Sequence, residues 1–352
     1  MPDRNPVFPV TAAVLGAGTM GAQIALSLAL GGADVRLWGR RSAGLSEAQA
    51  RIDDGFDLMV ENMLVRTGRK AETLGRISTG TDLARAVAGS RFVIEAVTED
   101  LELKRDLLAR AEACASEGTV LSSTTSALSP TDLQSQLARP GDFCVAHYAQ
   151  PAHLVALVEV VSGCDTMEAT EAFVMQLLAE TGKTPVRCPD IPGFLWARIQ
   201  HAVLREFASL VGRGLTTPEA CDQVLKEGYA ARLPAMGAFE HADLAGLDLL
   251  NGDAARAVWA DLSNVTEPSE TPVGTLFSAG HTGMKSGKGF YDWRIRDPEA
   301  FRRQRDEEII RRIRIRSGAE LVTPDTPGAN DVPSTSPPSG VADDTGVGGT
   351  AS

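Results

Sequence analysis

The segment from Val10 to Trp38 constrains the fold more than any other stretch of the sequence. An apolar run at Ala12–Leu15 is followed by the glycine pattern GxGxxG at Gly16, Gly18 and Gly21. An apolar stretch at helical spacing, Ile24–Leu28, and a second apolar run, Val35–Trp38, come next. In such a unit the first glycine permits a tight turn, the second lets the backbone approach a pyrophosphate, and the third allows close helix–strand packing. Amides at the helix N-terminus then hold the phosphate. The segment therefore predicts a dinucleotide-binding sheet.

The loop after the second predicted strand bears on the choice of dinucleotide. An acidic residue there accepts from the ribose 2′-hydroxyl in NAD-binding folds, but this chain has Gly39, Arg40 and Arg41. Two guanidinium groups suit a 2′-phosphate. Solvated loop arginines are the alternative. The sequence predicts an NAD(P) cofactor, with NADP favoured and with Arg40 and Arg41 as cofactor-binding residues.

Strands and helices continue to alternate as far as Cys188. The apolar runs predict strands from 77 and at 92–97, 119–122, 143–146, 154–161 and 185–188, with helices at 45–74, 82–88, 101–115 and 166–181. After Pro189–Phe194 the pattern indicates helices alone, at 195–211, 218–227 and 240–260. We therefore expect an α/β fold, in which an N-terminal Rossmann-type doubly wound sheet is followed by a smaller all-α C-terminal domain.

The same pattern divides the chain into five parts. A flexible lead-in (residues 1–9) precedes the dinucleotide-binding domain (10–189) and the helical domain (190–293). A charged helix with a narrow stripe of isoleucines, expected to be exposed, occupies 294–317. From about residue 318 to 352 the chain is rich in Pro, Ser, Thr, Gly and Asp, a composition typical of disorder.

Charge and cysteine content argue against several classes of function. The net charge of -12 disfavours nucleic acid or an anionic membrane surface as a partner. The 5 cysteines form no CxxC pair, so we expect reduced thiols and neither disulfides nor a metal site. No apolar run reaches membrane-spanning length, and the N-terminus lacks the apolar core of a signal peptide. The expected location is the cytoplasm.

The stretch Phe143–Val161 contains the strongest catalytic candidates. His147 is expected at the end of one strand, where it would face a cleft, and Glu159 lies inside the next apolar run. A carboxylate in an apolar run is costly to bury unless it is paired. Pairing with His147 would fix the imidazole tautomer and make the ring a general base for an alcohol proton. On this stretch alone, a surface histidine and an edge glutamate are the alternative.

Hydroxyl groups follow the strand predicted at 119–122. The run Ser123–Ser126 would lie at the carboxyl end of a strand, where doubly wound sheets bind ligands. The pair Ser129-Pro130 also looks like a helix start, so these hydroxyls could instead cap the next element. The two interpretations of Ser126 have equal weight on this evidence.

Seven segments resemble, in family order, motifs of the 3-hydroxyacyl-CoA dehydrogenase family: VLGAGTMGAQIA, FVIEAVTEDLELK, SSTTSALS, HYAQPAHLVALVEVV, DIPGF, MGAFEHADLAGLD and GMKSGKGFYDW. They extend from about Val10 to Trp293. The resemblance implies a Rossmann-type domain followed by a helical domain for substrate binding and dimerisation, so a homodimer is expected. It also implies hydride transfer between nicotinamide and the 3-hydroxyl carbon of an acyl thioester, a reaction of fatty acid metabolism.

The resemblance also assigns residues. It implies that His147 is the catalytic histidine, that Glu159 is its partner, and that Ser126 contacts substrate and cofactor. Besides the glycines and arginines above, the cofactor-binding residues that it implies are Met20, Glu99, Lys104, Gln150 and Lys285.

This chain departs from the family around the reacting oxygen. Gln150 replaces the asparagine of H-x-x-N-P, and Thr124 replaces the asparagine of S-N-T-S. Ala197 replaces the asparagine of PGF-x-x-N-R, which helps to hold the reacting oxygen, and alanine cannot donate a hydrogen bond. The helix expected around Asp53–Glu61, where the family brings up CoA, is acidic and offers little to phosphates.

Together these observations predict an NAD(P)-dependent 3-hydroxyacyl dehydrogenase that acts on the CH–OH group of a hydroxyacyl thioester. One alternative in the same fold is the dehydrogenase of a free hydroxy acid, such as a sugar acid or a carnitine-like compound. A second alternative is a cofactor-binding protein with little turnover, because Ala197 removes a donor from the site.

Overall fold

The computed structural model describes residues 9–316. Its strands are β1 Thr11–Leu15, β2 Asp34–Trp38, β3 Ile77–Gly80, β4 Phe92–Glu95, β5 Val120–Ser123, β6 Phe143–Tyr148, β7 Leu157–Val161 and β8 Thr184–Cys188. Its α-helices are α1 Thr19–Leu30, α2 Ser42–Glu61, α3 Lys70–Gly75, α4 Leu83–Val87, α5 Leu101–Cys114, α6 Pro130–Gln134, α7 Glu168–Glu180, α8 Trp196–Gly212, α9 Pro218–Val224, α10 Ala230–Arg232, α11 Ala238–Ala245, α12 Leu247–Leu250, α13 Asp253–Asp261, α14 Pro272–Ser278 and α15 Pro298–Arg316.

These strands form one 8-stranded sheet in the order β3-β2-β1-β4-β5-β6-β7-β8. The β6–β7 pair is antiparallel, whereas the other neighbours are parallel. The chain winds outward in one direction through β2 and β3 and in the other from β4, so the switch point lies between β1 and β4. Open sheets of this kind bind ligands outside the carboxyl ends of the strands at such a point. The predicted Rossmann-type doubly wound sheet is confirmed.

Apolar side chains cover both faces of the sheet, as parallel strands require. Ile24 and Leu28 of α1 and Phe56 of α2 are fully buried on one face. Leu108 of α5 and Phe143 of β6 belong to the core on the opposite face. Full burial of one such side chain stabilises a fold by roughly 1.5–3 kcal/mol, so the two layers hold the strand ends in fixed positions.

Two glycines bring α1 against the central strands. Gly16 has φ +135°, and a Cβ there would lie 2.5 Å from the carbonyl oxygen of Ala96. A Cβ on Gly21 would lie 1.7 Å from the carbonyl oxygen of Gly16. Any larger residue at either position would separate α1 from the ends of β1 and β4, so the close packing predicted for Gly21 is what the backbone requires.

Strand boundaries differ from the prediction around the catalytic candidates. β6 continues one residue past His147, which therefore lies within the strand rather than at its end. β7 begins at Leu157 rather than at Leu154, because the Leu154 amide turns back to donate to the carbonyl of Pro151 at 3.0 Å. The antiparallel pairing that results places His147 directly opposite Glu159.

The part of the chain after β8 is helical, as predicted, but its helices are shorter than expected between 240 and 260. Three helices, α11, α12 and α13, replace the single predicted one. The chain breaks at Gly246, whose φ of +97° is incompatible with a continuous right-handed helix, and again before α13, where Gly252 is the N-cap. A π-helical turn, Leu225–Tyr229, follows α9.

The helix α15 occupies most of the range predicted for a charged helix. Ile310 in its isoleucine stripe is only 2% exposed, so the expectation of a fully exposed helix is wrong at that position. Of the described residues, 9–310 belong to one compact unit and 311–316 to another. The flexible lead-in, apart from Pro9, and the disordered tail predicted at 318–352 lie outside the described residues. None of the helices described within 9–316 has the length and apolarity that a membrane crossing needs.

The loop between β6 and β7 contains a mostly buried histidine without a hydrogen-bond partner. Neither ring nitrogen of His153 is bonded within the described residues, and a Cβ added to Gly55 of α2 would lie 3.5 Å from its Nε2. Burial lowers the pKa of His153 to about 4, and the charges of Lys183 and Arg305 act in the same direction. Lys183 in turn donates to the carbonyl of Val155 at 3.0 Å.

We expect His153 to lower the free energy of unfolding in mild acid. Because its pKa in the folded protein is below the value of about 6.5 in an unfolded chain, its stabilising contribution is complete above pH 6.5 and is lost as the pH falls towards 4. Linkage predicts a loss of about 2 kcal/mol between pH 7.5 and pH 5. Urea unfolding of the wild type and of His153→Leu at both pH values measures it. Equal pH slopes for the two proteins would contradict this expectation.

Candidate active site

A cavity of about 1150 Å³ opens at the carboxyl ends of the central strands. Its walls are the turn between β1 and α1, the ends of β2, β4, β5 and β6, and the first turns of α8. Small-molecule sites usually occupy about 300–1,000 Å³. This cavity therefore has room for an extended ligand with a second, smaller molecule beside it.

Most of the predicted site residues line this cavity. They are Gly16, Gly18, Met20, Arg40, Arg41, Glu99, Lys104, Ser126, His147, Gln150 and Lys285. Gly21 lies behind the turn, where its role is packing, and Glu159 lies behind His147. The structure thus brings residues of the sheet and of the helical part to one cavity.

The turn at Gly18 suits a pyrophosphate. Gly18 is the N-cap of α1, and nothing lies within 4 Å of a Cβ built on it. The N-terminal amides of this 12-residue helix are open to the cavity and carry partial positive charge. The residues present therefore fit a dinucleotide, with Gly16 and Gly18 close to its phosphates.

His147 and Glu159 form a buried pair. The Nδ1 atom of His147 lies 2.8 Å from Oε2 of Glu159, and the two residues are 8% and 2% exposed. The bond leaves Nε2 as the ring nitrogen available to the cavity. An imidazole oriented in this way can accept a proton at Nε2, while the carboxylate stabilises the cation that forms.

The other oxygen of Glu159 receives three donors. The amides of Leu195 and Trp196 donate to Oε1 at 2.9 and 2.8 Å, and the thiol of Cys188 donates at 3.3 Å. Burial alone would raise the pKa of Glu159, but the hydrogen bonds from His147, from both amides and from Cys188 outweigh it and lower that pKa. The side chain therefore stays a carboxylate and ties α8 to the histidine.

The backbone conformation of Phe194 orients the amides of Leu195 and Trp196. Phe194 has φ +47°, which is rare for a residue other than glycine, and it is fully buried. Its ring centroid lies 5.9 Å from that of His147, at an interplanar angle of 56°. This turn of the backbone directs the next two amides towards Glu159, and the ring covers one side of the histidine.

A second buried ion pair supports the opposite wall. Lys104, 1% exposed, donates to both oxygens of the fully buried Glu95 at 2.8 and 2.9 Å. Ser123 donates to the same carboxylate at 2.6 Å. The amide of Val97 donates to Glu95 at 2.5 Å, so β4 ends at Glu95 and not at Val97 as predicted.

Glu99 connects this ion pair to the cavity. Its Oε2 lies 3.2 Å from Nζ of Lys104, and its Oε1 accepts from the amide of Ser126 at 3.0 Å. Burial alone would raise the pKa of Glu99, yet the hydrogen bond from Thr125, the charge of Lys104 and the Ser126 amide lower it. The ammonium group of Lys104 is thus largely paired with carboxylates, and Glu99 is the hydrogen-bond acceptor that faces the cavity.

The three departures from the family motifs have different surroundings. Thr124 accepts from the amide of Tyr148 at 3.3 Å and so joins the ends of β5 and β6. Ala197 lines the cavity on the first turn of α8 and contributes no donor. Gln150, the third departure, lines the same cavity, as does Ser126.

The end of β2 has little room for an acidic side chain. A Cβ on Gly39 would lie 3.0 Å from Cβ of Ala17 and 3.0 Å from Cδ2 of Leu45. Arg40 and Arg41 follow at once, and both are exposed and line the cavity. A side chain at Gly39 would therefore press against Ala17 and Leu45.

Glu95 and Cys188 are not among the residues predicted for the site. Glu95 does carry a signal, because it is a charge within the apolar run FVIEAV. The sequence gives no such signal for Cys188, because its contact with Glu159 arises from the pairing of β7 with β8 and joins residues 29 positions apart. Within residues 9–316, no group of three His, Cys, Asp or Glu side chains is placed to hold a metal ion.

Models of both domains of the 3-hydroxyacyl-CoA dehydrogenase family match the chain. The model of the NAD binding domain matches residues 11–191, and that of the C-terminal domain matches residues 193–293.

Known proteins of two kinds are similar along most of the chain. The 5-formyl-3-hydroxy-2-methylpyridine 4-carboxylate 5-dehydrogenase of Mesorhizobium japonicum is 29% identical over 311 residues, which are 88% of this chain and 98% of that protein. A crystal structure of a 5-formyl-3-hydroxy-2-methylpyridine 4-carboxylic acid 5-dehydrogenase, an NAD+-dependent dismutase, matches with a TM-score of 0.82 and 29% identity, covering 88% of this chain and 99% of that one. The (S)-3-hydroxybutyryl-CoA dehydrogenase of Ralstonia eutropha matches with a TM-score of 0.66 and 29% identity, covering 80% and 98%.

Proposed function

The chain belongs to the 3-hydroxyacyl-CoA dehydrogenase family, and on that premise we propose that it transfers a hydride between nicotinamide and the CH–OH carbon of a small hydroxy acid, with His147 as the general base. The observation that carries this proposal is the buried 2.8 Å pair of His147 and Glu159 beside the glycine turn.

The residues of the cavity take the following roles in the oxidation direction. Nε2 of His147 removes the hydroxyl proton, because Nδ1 is held by Glu159. Glu159 stays ionised and stabilises the imidazolium that forms. A bound nicotinamide supplies the hydride acceptor. Ser126 and Gln150 donate to the reacting oxygen in place of the donor missing at Ala197, whose loss would otherwise cost roughly 10²–10³ in kcat.

Two observations favour a free acid over the acyl thioester that the family resemblance suggests. The pyridine carboxylate dehydrogenase structure matches with a TM-score of 0.82, against 0.66 for the hydroxybutyryl-CoA enzyme. The helix α2 also carries Asp53, Asp54, Asp57 and Glu61, which offer little to the phosphates of CoA. A hydroxyacyl-CoA, with a role in fatty acid metabolism, is the second candidate, supported by the family model.

We expect His147→Ala to lower kcat by roughly 10²–10⁴, with a much smaller effect on coenzyme affinity. Glu159→Gln should have a smaller effect in the same direction, because it keeps the shape but loses the charge. Reduction of coenzyme by free hydroxy acids and by 3-hydroxybutyryl-CoA measures both, and the better substrate decides between the two candidates. Tight coenzyme binding without turnover of any alcohol would support the cofactor-binding protein instead, and wild-type turnover in His147→Ala would exclude the proposed base.

The family model establishes an NAD-binding domain, and we propose that Arg40 and Arg41 shift its preference towards NADP. Replacing both by glutamine should raise Kd for NADPH much more than Kd for NADH, because only NADPH carries the 2′-phosphate. Fluorescence titration of the two coenzymes measures this. Arg51→Gln is the matched control, since Arg51 lines the same cavity but is paired with Glu47 at 3.0 Å. Equal losses for both coenzymes, or a native preference for NADH, would contradict the proposal.

We further propose a homodimer formed through the helical part. Phe239, Trp259 and Phe277 on α11, α13 and α14 are 88%, 76% and 71% exposed, and apolar surface of this kind marks protein interfaces. Trp259→Glu should therefore shift the protein from dimer to monomer in sedimentation equilibrium. Met63→Glu, a change at a 63% exposed side chain of the sheet domain, is the control and should not. A monomeric wild type would exclude the dimer.

A further inference from the structure

The first two turns of α8 present one continuous face to the cavity. Trp196, Ala197, Gln200 and His201 line it, whereas Ile199 between them does not. The spacing i, i+1, i+4 and i+5 places the four side chains on one side of the helix. The face is therefore part of the wall around any molecule that reacts at His147.

This face is fixed relative to the reacting centre. The amides of Leu195 and Trp196 at the start of α8 donate to Glu159, which also holds His147. Ala197 is the small residue of the face and leaves space beside it. Gln200 and His201 lie about one helical turn further on, roughly 5.4 Å along the axis. A substrate whose carbinol carbon lies at His147 can thus extend past Ala197 to reach them.

The two polar side chains of this face are unused within the described residues. The side chains of Gln200 and His201 make no hydrogen bond or ion pair within residues 9–316, and both are exposed and line the cavity. An amide NH₂ and an imidazole N–H are donors that suit an anionic oxygen.

The charges around the cavity also favour an anion. The two glutamates that line it are both paired, Glu47 with Arg51 at 3.0 Å and Glu99 with Lys104 at 3.2 Å. Lys285 lines the cavity from the helical part and has no ion-pair partner in the described chain. A carboxylate in this cavity would meet donors and a cation, and the two glutamates among the described lining residues are already paired.

We propose that Gln200 and His201 bind the carboxylate of the substrate and so make the enzyme selective for compact free hydroxy acids. This inference rests on the hydride-transfer function proposed above. It specifies a substrate that carries a carboxylate on the side of the hydroxyl-bearing carbon that faces Gln200 and His201. Acids of this class have the carboxylate two or three bonds away along a chain, or across an aromatic ring.

The test compares acids with their neutral esters. Initial rates of coenzyme reduction are measured with 3-hydroxybutyrate, 4-(hydroxymethyl)benzoate and the methyl ester of each, using the full chain. Gln200→Leu and His201→Leu remove a donor, and Gln200→Glu adds a repelling charge. Each should lower the acid-to-ester ratio of kcat/KM by about 10- to 100-fold, mainly through KM, because hydrogen bonds to a charged group have this magnitude. Arg205→Gln removes a cation from the same helix outside the cavity lining and should leave the ratio unchanged.

The possible results separate this inference from the function on which it rests. Unchanged ratios in all three variants, or a wild type that prefers the esters, would overturn the carboxylate site while leaving the role of His147 intact. A wild type that oxidises 3-hydroxybutyryl-CoA but none of the acids would do the same. Absence of turnover with every acid, ester and thioester would instead overturn the proposed hydride transfer and the inference with it.

Discussion

The carboxylate of Glu159 is the interaction on which the rest of the site depends. One of its oxygens orients His147, and the other holds the first amides of α8 together with the thiol of Cys188. Removing one partner of a buried ion pair typically costs about 3–5 kcal/mol. The carboxylate of Glu159 therefore links β6, β7 and β8 to the first helix of the helical part and also orients His147.

The second buried carboxylate, Glu95, supports the opposite wall of the cavity in the way that Glu159 supports His147. It holds Lys104, Ser123 and the turn after β4. Through Lys104 it also fixes Glu99, whose other oxygen accepts from the loop that contains Ser126. Both parts of the site are thus built on a buried carboxylate, and low exposure strengthens the hydrogen bonds of each one.

The departures from the family motifs are not equivalent once their contacts are known. Thr124 lines the cavity too, but its hydroxyl is held between two strand ends by the amide of Tyr148. Ala197 does alter the pocket, because it lies on the cavity face of α8 next to two polar side chains without partners, Gln200 and His201. The face of α8 therefore differs from the family motif at Ala197 and presents Gln200 and His201 to the cavity.

The sequence by itself determined the sheet and the glycine turn, and most of the site residues that it predicted line the cavity. The glycine pattern can serve only in a tight strand–turn–helix unit, and strand and helix periodicities are local properties, so Gly16, Gly18 and the order of elements were predictable. Only the tertiary structure decided which long-range partners satisfy the buried charges. Cys188 reaches Glu159 through strand pairing, and the amides of α8 reach it through the strained turn at Phe194. Such contacts depend on how the elements pack. A carboxylate within an apolar run indicates that hydrogen-bond donors are needed, but the sequence does not identify which residues supply them.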